Sequence, residues 1–228
     1  MSSPSILIIN PNSSKSVTEN LKQILQPPSD VTYSFFTAPS GPAQVDSFTT
    51  EVESASVCIK ALEPLLSEHD GFLVGCYGDH PLIYLLRERT NKPVLGIFQA
   101  TVLQSLAYGT GKFAVVTTAK RWEAALDEGV LALLGSHHNY AGTFSTGLGV
   151  LELHSAPQEL VKERIVEATQ KALSNDAKIL ILGCAGMSGM EEIVAEQAGE
   201  GIRILDAVVS GCELIVGMVR SDMHAKSK

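Results

Sequence analysis

Short apolar runs alternate with longer amphipathic stretches along this chain, and the alternation predicts its elements. Ile6 to Ile9 reads as a strand closed by Asn10-Pro11, because proline cannot donate to a ladder. Ser13 or Ser14 is placed to cap a helix running to about Gln26. Val31 to Phe36, alternating and aromatic, is a second strand. After a Pro/Gly-rich loop from Ala38 to Pro42, helical spacing continues from about Ser47 to Glu68. Phe72 to Cys76 is continuously apolar, as in a parallel strand covered on both faces. A helix over about Pro81 to Thr90 and a strand from Val94 to Ile97 follow. The plan then recurs: a helix near Thr101 to Tyr108, the strand Phe113 to Thr117, a helix from about Ala119 to Leu134, and a weaker strand at Tyr140 to Ser145. Next come a helix from about Gln158 to Leu173, the strand Ile179 to Cys184, a short helix over about Met190 to Gln197 and the strand Ile202 to Leu205. A last helix spans about Val208 to Arg220. Strands separated by crossover helices imply parallel sheets.

The recurrence has a fixed offset. Ile6 and Phe113 begin corresponding strands 107 residues apart, Val31 and Tyr140 are 109 apart, and Cys76 and Cys184 are 108 apart. The contexts of the two cysteines match: Val74-Gly75-Cys76-Tyr77-Gly78 against Leu182-Gly183-Cys184-Ala185-Gly186. We therefore expect a tandem duplication into two α/β lobes of similar plan.

Composition narrows the function. A chain of 228 residues is long enough for one large α/β unit or two small lobes. With 45% hydrophobic and 18% charged residues and a mean hydropathy of +0.15, it can bury a real core. Lys and Arg number 17 against 25 Asp and Glu, a net charge of −8, and no basic cluster exists to neutralise phosphates, so nucleic acid is not the expected partner. No apolar run approaches the roughly 20 residues that span a bilayer. Met1-Ser2-Ser3-Pro4-Ser5 has no positive n-region and the apolar stretch after it stops at Asn10, so no secretory signal and no membrane partner are expected. Four cysteines without a CxxC pair suit free thiols in a reducing, cytoplasmic compartment. His137 and His138 are adjacent without metal-ligand spacing, and no HExxH occurs. Gly111-Lys112 lacks the first glycine of a phosphate loop, and Gly147-Leu148-Gly149 lacks the third of a dinucleotide fingerprint. No lysine stands in an evident Schiff-base context. No metal or cofactor is expected.

Ligands of open parallel sheets bind beyond the carboxyl ends of the strands. Cys76 and Cys184 are both predicted there, beside glycine and ahead of a helix whose first amides lower a thiol pKa. If the lobes face one another, two thiols address one carbon from opposite sides, as two-base epimerisation requires. Cys58 and Cys212 fall inside helices, and their repeat-mates near Val166 and Gln104 are not cysteines, so they read as packing. Asn10-Pro11-Asn12-Ser13-Ser14 and Thr117-Thr118-Ala119 end the first strand of each lobe with amides and hydroxyls suited to a carboxylate or cyclic imide, or simply to N-capping. His80 either pairs with Cys76 as a nucleophile of hydrolase type or caps and orients the helix that follows. Asp79 reads as a helix-start carboxylate.

The two cysteine motifs, Gly75-Cys76-Tyr77-Gly78-Asp79 and Leu182-Gly183-Cys184-Ala185-Gly186-Met187, taken with Asn10-Pro11-Asn12-Ser13, resemble the Asp/Glu/hydantoin racemase superfamily over essentially the whole chain, with hydantoin and allantoin racemases and their fungal-type relatives nearest. The resemblance implies a cofactor-independent racemase of two pseudo-symmetric Rossmann-like lobes, each a roughly four-stranded parallel sheet flanked by helices, with the active site between them. It implies catalytic Cys76 and Cys184, and a small-molecule substrate held by Asn10, Ser13, Thr117, Thr118 and the backbone of Tyr77, Gly78, Ala185 and Gly186. It also implies that the last helix returns to the first lobe, giving residues 1–98 with 207–228 as one lobe and 99–206 as the other. Where the bacterial hydantoin racemases usually carry Asp-Pro-Gly, this chain has Asp79-His80-Pro81, and Gln99 stands where an acidic residue is frequent. The expected reaction is racemisation of a 5-substituted hydantoin or allantoin-like ring. Its rivals are racemisation of a free acidic amino acid, cysteine-nucleophile hydrolysis or isomerisation, and non-catalytic ligand binding. An apolar helix surface is compatible with a homo-oligomer.

Overall fold

The computed structural model describes residues 3–226. They fall into two compact units, one comprising residues 3–100 and 208–226, the other residues 101–207. The element order is β1 (Ser5–Asn10), α1 (Lys15–Ile24), β2 (Thr32–Thr37), α2 (Phe48–Leu62), β3 (Gly71–Val74), α3 (Pro81–Arg87), β4 (Val94–Gly96), α4 (Ile97–Tyr108), β5 (Lys112–Thr117), α5 (Trp122–Leu134), β6 (Tyr140–Ser145), α6 (Glu152–Ser155), α7 (Gln158–Ser174), β7 (Ala177–Leu182), α8 (Glu191–Ala195), β8 (Arg203–Asp206) and α9 (Ala207–Lys226).

Each unit holds one four-stranded sheet, ordered β2-β1-β3-β4 and β6-β5-β7-β8, with every pairing parallel. The strands carry apolar residues at consecutive positions because both faces are covered. In the first sheet Leu7, Ile9, Phe72 and Val74 join a core with Ala55, Cys58, Ile59 and Leu62 of α2 and Leu82, Ile83 and Leu86 of α3. Strand geometry sends Ile6, Ile8 and Leu73 to the other face. There α9 comes close: a Cβ built on Gly71 would lie 2.7 Å from Val219, and one on Gly211 would lie 2.9 Å from Ile97 and 3.0 Å from Leu73. In the second sheet Ala114, Val116, Leu180 and Leu182 pack with Val161, Ile165, Ala168 and Ala172 of α7.

The register refines the repeat. Ile6 pairs with Tyr33 and Phe113 with Tyr140, so Tyr33, rather than Val31, is the counterpart of Tyr140. A bulge then skips Ala141, and Gly142 adopts the positive φ of 121° there. Several predicted boundaries shift. The expected helix to Glu68 ends at Leu62 and tightens into a 3-10 turn over Glu63–Ser67, where Pro64 has no N–H to continue it. Ile97 opens α4 instead of closing β4, and Cys184 lies two residues beyond the end of β7. The helix α6 was not expected, and α9 runs past Arg220.

Candidate active site

At the carboxyl end of the first sheet, Gly75 donates its N–H to the Ile9 carbonyl at 2.8 Å, extending the ladder by one bond. A Cβ on Gly75 would stand 3.1 Å from that carbonyl oxygen, a tight contact with backbone, so glycine suits this close approach. Cys76 follows at once, partly buried. Tyr77 is buried with its ring edge-on to Phe98, centroids 5.4 Å apart. In the second unit Gly183 donates to the Val116 carbonyl, also at 2.8 Å, and Cys184 follows in extended conformation before a 3-10 turn over Ala185–Met187. Each unit thus presents one thiol immediately beyond its third strand, held by an equivalent backbone bond. None of the four cysteines is in a disulfide.

The Cys184 thiol is pushed up to about 11 by burial. The backbone N–H groups of Gly186 and Met187 and the Thr118 hydroxyl, all hydrogen-bonded to the sulfur, pull the other way and are outweighed. Thr117 donates its hydroxyl to the Gly183 carbonyl at 2.8 Å, fixing the residue before the thiol. Both threonines expected to meet the ligand therefore have partners around Cys184.

Asn10, also expected at the ligand, is turned inward. Its amide donates to the Ser14 carbonyl and to the Thr18 hydroxyl, both at 3.0 Å, while its oxygen accepts the Asn12 N–H at 3.2 Å. The Ser13 N–H and hydroxyl are each 2.9 Å from carbonyls of Pro42 and Gly41, tying down the loop after β2. Gly78 is buried in the turn after Cys76, and Ala185 and Gly186 in the turn after Cys184. The expected residues thus gather as two sets, Asn10, Ser13, Cys76, Tyr77 and Gly78 in the first unit, and Thr117, Thr118, Cys184, Ala185 and Gly186 in the second.

Two side chains, His154 and Ser54, escaped the sequence reading. His154 on α6 brings Nε2 to 3.7 Å from where a Gly186 Cβ would stand, the same distance as the Cys184 sulfur. No periodicity marks a helix of four residues. Ser54 and Cys58 of α2 meet the loop after β1: the Ser54 hydroxyl donates to the Pro11 carbonyl at 2.5 Å, and the Cys58 thiol lies 3.6 Å from the same oxygen. Ser54 sits on the buried stripe of α2, with Glu51, Ala55, Cys58 and Leu62, and a lone hydroxyl on an apolar stripe is the signal that could have flagged it. Gln99 accepts a hydrogen bond from Arg87 at 3.1 Å. Among the described residues no group of three His, Cys, Asp or Glu side chains is arranged to hold a metal ion, and no helix is long and apolar enough to cross a membrane.

These features define a class: a duplicated parallel α/β protein with one glycine-flanked thiol beyond the third strand of each unit. The chain belongs to the Asp/Glu/hydantoin racemase family, whose description matches residues 6–215, and it is accordingly a racemase/isomerase enzyme. It is 39% identical to an uncharacterised protein of Schizosaccharomyces pombe, over 98% of this chain and 95% of that one. It is 27% identical to a hydantoin racemase of Paenarthrobacter aurescens, over 94% of this chain and 90% of the other. The crystal structure of an allantoin racemase from Pseudomonas fluorescens superposes with a TM-score of 0.83 at 25% identity, covering 96% of this chain and 92% of that one.

Proposed function

We propose that this enzyme racemises a 5-substituted hydantoin or an allantoin-like ring without a cofactor, using Cys76 and Cys184 as acid and base. The observation that carries the reading is the equivalent placement of the two thiols, each one residue beyond a glycine bonded at 2.8 Å to the neighbouring strand. The likeness to a hydantoin racemase and to an allantoin racemase supports the ring substrate. The carbon to be inverted lies next to a ring carbonyl, so its C–H electron pair can pass into an enolate. In one direction the Cys76 thiolate takes the proton. The Cys184 thiol, kept protonated at neutral pH by its burial, delivers its own proton to the opposite face. The turnover ends with Cys76 as thiol and Cys184 as thiolate, and the reverse direction runs through the same two groups. The reading requires both sulfurs to reach one carbon from opposite sides.

Solvent deuterium exchange on single enantiomers of hydantoins, allantoin, aspartate and glutamate tests it. The expected result is racemisation with deuterium uptake on a ring substrate. Cys76→Ala and Cys184→Ala should each lose racemisation by about 10³-fold or more, in the range of a lost acid or base, while keeping exchange from one enantiomer only. Full racemisation by either variant would eliminate the two-thiol mechanism. Turnover of the free amino acids alone would replace the substrate assignment.

A further inference from the structure

His80 closes a chain of hydrogen bonds that ties the loop after the first thiol to the loop after β1. The imidazole is fully buried, and its Nδ1 accepts the Leu82 N–H at 3.2 Å, which makes it the N-cap of α3. A backbone N–H can only donate, so Nδ1 presents its lone pair and the ring proton resides on Nε2. That proton faces the Ser54 hydroxyl at 3.5 Å, the longest link of the chain, and the Ser54 hydroxyl in turn donates to the Pro11 carbonyl at 2.5 Å. Every link therefore points one way, from α3 through α2 to the loop after β1. The peptide that begins with the Pro11 carbonyl is pinned on its other edge too, because the Asn12 N–H is held by Asn10.

The Cys76 loop is consequently suspended between two anchors on one segment. Gly75 holds its near end to Ile9, and His80 holds its far end, through Ser54, to Pro11. By the 108-residue offset the counterpart of His80 is Ser188, too short to bridge to a neighbouring helix in the same manner, so the device belongs to the first thiol alone. We propose that His80 is a positioning residue, which with Ser54 sets the Cys76 thiol against the loop after β1 and takes no proton from the substrate. Both ring nitrogens are committed within the chain of bonds, which removes the acceptor that a Cys76–His80 nucleophile pair would need. The catalytic consequence rests on the racemase reading; the placement of the thiol does not.

The test uses the full chain with Ser54→Ala, which breaks the bridge, and His80→Asn, whose oxygen can still cap Leu82 but falls short of Ser54. Each variant should lower kcat by about 10- to 100-fold with KM within about twofold, the mark of a misplaced group rather than lost binding. In a Cys184→Ala background, where Cys58 and Cys212 are shielded, each should also change the rate of Cys76 alkylation by iodoacetamide several-fold. Nitrogen-15 NMR of labelled histidine should show His80 with the proton on Nε2, unchanged when substrate is added. Native alkylation rates in both variants would overturn the proposal whatever the substrate proves to be. So would an Nδ1 proton, or an imidazolium appearing with substrate. Absence of turnover of every ring by the native chain, with the alkylation change present in the variants, would instead sink the ring-racemase reading and leave the positioning role standing. Should His80→Asn fail to fold, Ser54→Ala decides.

Discussion

His80 carries a second measurable consequence at the scale of one residue. Burial holds its imidazole neutral, down to about 4 from an ordinary 6.5. Between those values the unfolded chain binds a proton that the folded one does not, so stability is full above about pH 6.5 and declines as pH falls toward 4. The term is on the order of 3 kcal/mol, a large share of a domain's stability. His69, pushed down by its own burial, adds in the same direction. Urea midpoints measured between pH 7.5 and 4.5 should fall steeply for the native chain and less steeply for His80→Asn; parallel slopes would mean that His80 is not the titrating group. Much at this scale was legible. The glycine-cysteine pairs could be read because strand end, glycine and helix start coincide at one offset. The inward turn of Asn10 could not, since a polar side chain after a strand carries no mark of which way it faces. Nor could the Ser54–Pro11 bond, which joins positions 43 residues apart that only the packing of α2 brings together.

Two glycines of α9 make opposite predictions about one element. An added methyl on Gly211 would meet Ile97 at 2.9 Å and Leu73 at 3.0 and 3.2 Å, both fully buried side chains with no free space to move into. Overpacking of that kind costs about 1–3 kcal/mol, more than the roughly 1 kcal/mol that alanine gains over glycine in a helix. Gly217, further along the same helix, has nothing within 4 Å of its Cβ position. Gly211→Ala should therefore lower the thermal midpoint and Gly217→Ala raise it, read by circular dichroism on the two variants. A rise for both would show that α9 does not press on β3. The elements themselves were readable because strands with two covered faces are uniformly apolar and the intervening helices are striped. What escaped were the ends. Pro64 turns α2 into a 3-10 turn within a continuous helical pattern, α6 is too short for a period, and the last turn of α9 is too polar to extend one.

At the scale of the molecule, the first unit is discontinuous in sequence and the second is an unbroken stretch. Cys212, Ile215, Val216 and Val219 of α9 are buried, and at about 2 kcal/mol each their removal would cost about 8 kcal/mol, comparable to the whole stability of a small domain. Residues 101–207 expressed alone should melt cooperatively, and residues 1–100 alone should not, until 208–226 are supplied as a peptide. Cooperative melting of the 1–100 fragment by itself would refute the dependence on α9. The duplication was plain from the sequence because the offset is nearly constant, but its finer register was not, because the bulge at Gly142 inserts one residue that no hydrophobic pattern reports. The return of α9 also bears on how the chain is made. Synthesis proceeds from the N-terminus, so the second unit can be complete while one face of the first sheet still waits for α9 to leave the ribosome. During that interval Ile6, Ile8 and Leu73 are a sticky surface on a half-finished domain, and the rate at which α9 emerges sets how long that surface stays uncovered.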